Sequence, residues 1–219
     1  MVMKCPNCQS LCVKNGLQSN GSQRYYCKQC KVSLQREYKN HACARNTDHK
    51  ITALLKEGVG IRGVTRLLNI APNTVMNRIL KISNSIEKPS ASMGKVYEMD
   101  EMCTYVGRKK RLVWIAYAVR RDTREVMDFK VGPRTNRTLT AVLKTLELSF
   151  AKAIYTDGLK QYRYLIRKEI HKVKHRGTNY IERKNLTLRT HLKRLNRRTI
   201  CFSKSLVMLI ACLKIYFWG

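Results

Sequence analysis

Three carboxylates stand where an acid is out of place unless it does chemistry. Asp100 lies inside a β-prone run, Val96 to Val106, where an acid is unusual. Asp157 follows the short apolar run Ala153-Ile154-Tyr155 after Thr156 and precedes Gly158. Glu182 is the only acid in a stretch holding Arg183, Lys184, Arg189, Lys193 and Arg194. If these three converge, their hard oxygen atoms suit Mg²⁺, which keeps positions open for phosphate oxygens. Two such ions ~3.5–4 Å apart serve an in-line displacement at phosphorus. Alternation along the strand puts Glu98 and Asp100 on one face and Met99 and Glu101 on the other. On the residues alone, Asp100 and Glu101 remain alternatives for the strand ligand.

A second constellation is built of cysteine. Cys5-Pro6-Asn7-Cys8 and Cys27-Lys28-Gln29-Cys30 form two C-x₂-C pairs, each presenting two thiolates on one tight turn. Together they predict a tetrahedral Zn²⁺ site in a zinc ribbon. Gly16, Asn20-Gly21 and the β-prone Arg24-Tyr25-Tyr26 read as strands that return the second pair to the first. Cys12, Cys43, His41 and His49 are alternative donors nearby. The chain has nine cysteines, and an odd number without an apolar leader at Met1-Val2-Met3-Lys4 argues against a secreted disulfide scaffold. A segment this small buries little core, so metal supplies its folding energy.

Between about Thr47 and Ser83 the apolar spacing is helical. Asp48 caps a first helix with Ile51, Leu54 and Leu55, which stops near Gly58-Val59-Gly60. A second runs from Ile61 to Leu68, and a third begins at Pro72 with Val75, Ile79, Leu80 and Ile82 inward. This predicts a helix-turn-helix, whose last helix offers Asn73, Thr74, Asn77 and Arg78 to base edges. A plain helical bundle used for packing is the competing reading. Ser83 to Gly94 reads as a linker.

From Lys95 the pattern changes. Val96 to Val106, Arg111 to Arg121 and Glu125 to Val131 predict a three-stranded meander. A helix over Thr138 to Phe150 follows, then a strand at Ala153-Ile154-Tyr155, a helix over Leu159 to Ile166 and a strand near His171 to His175. A long helix from about Asn179 to Leu195 comes last. On it Glu182, Leu186, Arg189 and Lys193 share one stripe, beside an apolar stripe of Ile181, Leu188, Leu192 and Leu195. Three antiparallel strands followed by α-β-α-β-α is the element order of the ribonuclease H fold. The fold class expected is therefore α/β, with a ribonuclease H-like domain at 95–219 preceded by a zinc ribbon at 1–40, a helix-turn-helix at 45–85 and a linker at 86–94. His171 and His175 fall near the same site and read as strand-surface or phosphate-contacting residues.

Charge names the partner. With 44 Lys+Arg against 14 Asp+Glu the formal net charge is +30, and the excess is spread over the chain. Every module thus faces a polyanion. The longest apolar run, Leu206 to Leu213, is far shorter than the ~18 residues of a membrane span, so nucleic acid is favoured over membrane.

Several of these segments resemble the transposases of the insertion-sequence-1 family. They are Met99-Asp100-Glu101-Met102 with Tyr105-Val106-Gly107, Tyr155-Thr156-Asp157, Ile181-Glu182-Arg183-Lys184-Asn185-Leu186 with Leu188-Arg189-Thr190, and Ile200-Cys201-Phe202-Ser203-Lys204-Ser205. The resemblance covers nearly the whole chain and is most specific from Glu182 onward. It implies a DDE transposase whose triad is Asp100, Asp157 and Glu182, holding two Mg²⁺ ions for which Mn²⁺ substitutes. Arg189 matches a basic position that often follows the glutamate, and with Lys193 and Arg194 it is expected to hold DNA phosphates. The implied partners are element ends and target DNA, bound by a homodimer or higher oligomer in the cytoplasm of a bacterium, at the nucleoid. A non-catalytic DNA-binding regulator and a ribonuclease H-like nuclease are the alternatives. The pattern departs at Cys103, where the family usually has tryptophan, and after Ser205, where Leu206-Val207-Met208-Leu209-Ile210 is unusually apolar.

Overall fold

The computed structural model describes residues 3–44, 46–90, 92–174, 176–196 and 198–219. The chain divides into two compact units, Met1–Thr47 and Asp48–Gly219. It is a mixed α/β protein with a small antiparallel sheet and a larger mixed sheet.

The first unit is three short antiparallel strands, β1 (Val13–Leu17), β2 (Gln23–Cys27) and β3 (Val32–Gln35), in that order. Each cysteine pair sits on a tight turn. The first is closed by a Lys4–Leu11 bridge and a Cys5 N–H to Ser10 C=O bond of 2.8 Å. The second lies at the β2–β3 hairpin, where Cys27 is in register with Val32. Every residue of β1 is exposed, so this sheet has almost no apolar core of its own.

The second unit opens with α1 (Thr47–Lys56), α2 (Ile61–Leu68) and α3 (Pro72–Ser85). Asp48 was expected as the cap of α1. It lies instead in the first turn of that helix, ion-paired with Arg78 at 2.5 Å. Asn69 takes the left-handed conformation that ends α2, and Pro72 begins α3, where its missing N–H has no partner to lose. Between α1 and α2, Gly58 (φ +75°) presses on the helix that spans Asn179–His191 and carries Glu182. A β-carbon there would stand 1.9 Å from the His191 carbonyl oxygen, so only glycine fits.

The larger sheet has the order β6-β5-β4-β7-β8. Strands β4 (Val96–Tyr105), β5 (Leu112–Arg120) and β6 (Val126–Gly132) form the antiparallel meander, while β7 (Ala153–Tyr155) and β8 (His171–Lys172) run parallel to β4. Helices α4 (Asn136–Leu148) and α5 (Tyr162–Leu165) cover one face, around Tyr97, Met99, Leu139 and Leu143. Helices α6 (Asn179–His191) and α7 (Leu206–Trp218) cover the other, around Met102, Ile115, Tyr117, Ile181 and Leu188. The expected meander, α4 and β7 match within about two residues.

Other segments are shorter than expected. The helix expected over Leu159 to Ile166 is the single turn α5, and the strand expected at His171 to His175 is the two-residue β8, with His175 outside the described residues. The last expected helix ends at His191, because Leu192 is extended (φ −98°, ψ 90°) before a 3₁₀ turn at Lys193–Leu195. The apolar run after Ser205 is α7, capped by Ser205 Oγ, which accepts from Met208 N–H at 3.1 Å. Leu209 and Leu213 of α7 pack on the sheet, and its far side packs on α3, which explains a helix apolar on nearly every side. Among the described residues no helix is long and apolar enough to cross a membrane.

Candidate functional site

The parallel pairing of β4 with β7 sets two of the carboxylates side by side. Glu98 is in register with Tyr155, the last residue of β7, and Asp100 and Asp157, each two residues further on, have carboxylate oxygens within 4.8 Å of each other. Asp157 is exposed at the end of β7, and its Oδ1 accepts the Leu159 N–H at 3.1 Å. Asp100 is half-buried. Its Oδ1 accepts the Glu101 N–H at 2.7 Å, and its Oδ2 accepts from Asn185 Nδ2 of α6 at 2.7 Å. Burial pushes the Asp100 carboxyl up to about 6, and the charges of Glu101 and Asp157 push the same way against those hydrogen bonds.

Glu101 points to the opposite face, as alternation requires. Its side chain is 1% exposed and is held by Arg134 Nε at 3.2 Å and by the Tyr162 hydroxyl at 2.8 Å. One oxygen each from Asp100, Glu101 and Asp157 nonetheless lie within 4.8 Å of one another. This is an oxygen donor set of the kind a hard divalent ion takes. Asp100 and Glu101 also line an open cleft of about 470 Å³ with Trp114, Asn185 and Arg189. Arg134 stacks over Trp114 there, 4.3 Å from the ring centre.

Glu182 lies outside that cluster. It is exposed in the first turn of α6, and its Oε1 accepts the Thr178 hydroxyl at 2.6 Å. It precedes Asn185 by three positions, so it occupies the next turn along the same flank of the helix.

Glu98 is a residue that sequence reasoning left without a role. Its fully buried carboxylate accepts the Ile181 N–H at 2.9 Å, at the start of α6. Its other oxygen pairs with Arg121 Nε at 2.9 Å, and Arg121 lies over the Tyr155 ring at 4.3 Å. Burial raises the Glu98 carboxyl despite these partners. The only signal in the sequence was its placement on the Asp100 face. His171 is half-buried, its Nε2 2.8 Å from Thr156 Oγ1 in the residue before Asp157.

The expected DNA contacts divide. Asn73 and Asn77 of α3 are exposed, whereas Thr74 and Arg78 are half-buried and Arg78 holds Asp48. Arg189 turns inward, donating to the carbonyls of Leu195 at 2.7 Å and Cys103 at 3.2 Å, so it ties the end of α6 to β4. Lys193 is exposed in the 3₁₀ turn beyond α6, and Arg194 donates to Ser203 Oγ at 3.0 Å.

In the first unit, the sulfurs of Cys5, Cys8, Cys27 and Cys30 also lie within 4.8 Å of one another. Cys5 and Cys30 are 3.9 Å apart and Cys8 and Cys27 are 3.5 Å apart. Hydrogen bonds from Ser10 lower Cys8 to about 6, and Cys8 in turn pushes Cys30 up to about 12. The alternative donors Cys12, His41, Cys43 and His49 stand outside this group.

Residues 95–216 match the family model described as IS1 transposase. Among similar proteins, insertion element iso-IS1n protein InsB of Shigella dysenteriae is 39% identical over 113 residues, 52% of this chain and 86% of that protein. Insertion element IS1 protein InsB of Shigella flexneri is 42% identical over 108 residues, 49% of this chain and 82% of that one. Insertion element IS1 9 protein InsB of Escherichia coli K12 is 35% identical over 141 residues, 64% and 80% of the two chains. Among solved structures, a chain of the simian T-cell lymphotropic virus intasome in complex with PP2A regulatory subunit B56 gamma aligns with a TM-score of 0.40 and 14% identity, over 74% of this chain and 66% of that one. The family match spans more than half of the 219 residues and contains all three of the out-of-place acids, and on that ground the chain belongs to the IS1 transposase family.

Proposed function

We propose that the protein is the DNA transposase of an insertion element, cutting DNA at the element's ends and joining the freed 3′ ends to target DNA through a DDE site of Asp100, Asp157 and Glu182. The observation that carries this reading is the convergence of Asp100, on β4, with Asp157, just past the end of the parallel neighbour β7, inside a family-matched region whose sheet order fits a ribonuclease H-like fold. Glu182 is in the first turn of the helix that touches Asp100 through Asn185, and in this reading its side chain would leave Thr178 to join the same site.

The donors suit divalent metal. Their oxygens are hard, and the pKa of Asp100 is raised by burial and, in smaller part, by the charges of Glu101 and Asp157, a repulsion that a bound cation would relieve. Mg²⁺ or Mn²⁺ held there would supply charge stabilisation for the entering and leaving oxygens. The chain's own part is positional: Asn185 fixes Asp100, Glu98 fixes the start of α6, and Arg134 with the Tyr162 hydroxyl fixes Glu101 beside the cleft. No covalent protein–DNA step is needed, because phosphoryl transfer rests mainly on positioning and charge.

The four-cysteine cluster fits zinc. A tetrahedral site with Zn–S near 2.3 Å sets sulfurs ~3.8 Å apart, and the Cys5–Cys30 and Cys8–Cys27 spacings are 3.9 and 3.5 Å. In this reading residues 1–40 are a zinc ribbon, 45–85 a helix-turn-helix that reads element ends, 86–94 a linker and 95–219 the catalytic domain. The protein acts on DNA in the bacterial cytoplasm, at the nucleoid, as a dimer or higher oligomer.

The test is a labelled element-end duplex incubated with purified protein, Mg²⁺ and a target plasmid. Asp100→Asn, Asp157→Asn and Glu182→Gln should each lower cleavage and joining together by about a thousandfold, several kcal/mol of lost metal stabilisation. End binding should persist. Wild-type rates in Glu182→Gln would remove that residue from the site, and a DNA–protein adduct stable to denaturation would overturn the mechanism.

A further inference from the structure

The connection from Asp157 to α6 carries a concentration of charge that neither the fold nor the carboxylate site uses. Between residues 158 and 178 stand seven Lys or Arg residues, all exposed, against a single acid, Glu169. None of the seven pairs with a carboxylate among the described residues. Unpaired like charges at this density repel one another, so folding alone does not account for them.

Their placement is specific. Strand β8 is the outer strand of the sheet, and its Lys172 is in register with Tyr155, two residues before Asp157. The chain then passes Lys174 and Arg176 and turns at Gly177, whose N–H donates to the Lys174 carbonyl at 2.8 Å. A β-carbon at Gly177 would come within 2.9 Å of that carbonyl and 3.0 Å of the Tyr155 ring, so the turn is packed against the end of the sheet. One residue later Thr178 holds Glu182. Lys172, Lys174 and Arg176 therefore lie along the path that joins one of the triad acids to another. Arg163 of α5 sits close enough for its charge to act on His171 of β8.

We infer that this basic edge grips the phosphates of target DNA, the duplex whose sequence the protein has no need to read. The inference rests on the transposase reading above. Contacts that fix a duplex without reading it are phosphate contacts from Lys and Arg, and each adds to the salt dependence of binding. The edge is made of such groups, whereas exposed amides suited to base edges, Asn73 and Asn77, lie on α3. Its position beside the carboxylates brings the held duplex to the chemistry.

The test uses the full chain with Lys172→Glu, Lys174→Glu and Arg176→Glu combined, and the same three positions changed to Gln in case reversal disturbs folding. Thermal melts check that each variant is folded. With the Gln variant, joining to a random target plasmid should fall about tenfold or more, while cleavage of a labelled element end changes less than about twofold. The slope of log K against log salt on a random duplex should shrink by about 2 to 3, three phosphate contacts at ~0.9 each. Unchanged joining and slope would overturn the inference. Loss of specific end binding together with cleavage would overturn it as well, by assigning the edge to the element end. If the wild type neither cuts nor joins, the transposase reading fails, and an unchanged salt slope in the variant would separately deny the edge any DNA.

Discussion

Asn185 donates a side-chain N–H to Asp100 Oδ2 at 2.7 Å, tying the middle of α6 to the middle of β4. The other functional end of the amide is used too, since Asn185 Oδ1 accepts the Tyr117 hydroxyl at 2.8 Å. With both ends engaged, the amide has one orientation, and it holds one oxygen of Asp100 while the other faces the backbone. Asn185 is thus a positioning residue.

Asn185→Ala should leave the fold in place but lower end cleavage by about 10–100-fold, the usual effect of removing a group that orients a metal ligand. The discriminating measurement is the Mg²⁺ concentration for half-maximal rate, which should rise. A variant slow at every Mg²⁺ concentration, with an unchanged midpoint, would argue against orientation of Asp100.

Arg121→Ala should destabilise the larger unit by about 3 kcal/mol, because it strands the Glu98 carboxylate in the interior. That figure is at the low end of the range since Arg121 is 29% exposed. Combining it with Glu98→Gln should recover part of the loss, as the stranded charge is then gone. Urea denaturation of the three variants gives the comparison, and equal losses in the single and double variants would deny the pair its role.

Cys27→Ser should remove the metal from the first unit. Elemental analysis should fall from one zinc per chain to none, and amide exchange across β1 to β3 should become fast, because this sheet has so little apolar core. Retention of stoichiometric zinc in the variant would sink the four-cysteine assignment.

His171 predicts a pH dependence. Burial, helped by the charge of Arg163, lowers its imidazole below the usual 6.5, so the folded state favours the neutral ring. The unfolded chain binds the extra proton first, and the ring's contribution is whole above pH 6.5 and lost as pH falls below it. Thermal melts of the wild type should decline from pH 7 to 5.5 more steeply than those of His171→Gln. Parallel declines would show that another group carries the effect.

The strands were legible because alternation and turn residues agree along 96–132, and α6 because Ile181 and Leu188 recur at helical spacing. Its end was not legible. Nothing in Leu192 or Lys193 forbids helix, and the break depends on Arg189 reaching the Leu195 and Cys103 carbonyls, a tertiary choice. For the same reason Arg189 read as a phosphate contact, although its guanidinium turns inward. Helix α7 looked anomalous because periodicity shows a helix with two buried sides as apolar all round. Of the site, Asp100 and Asp157 stood out as acids in apolar company. The part played by Glu98 required knowing that the first turn of α6 lies over β4, which only the long-range packing determines.

Gly58 against the His191 carbonyl, and α3 against α7, join the three N-terminal helices of the larger unit to the helices on its sheet at two separate points. Elements coupled in this way should share one unfolding transition. The helices proposed to read DNA and the strands that carry the carboxylates should then melt together, so that damage to either is felt as loss of both.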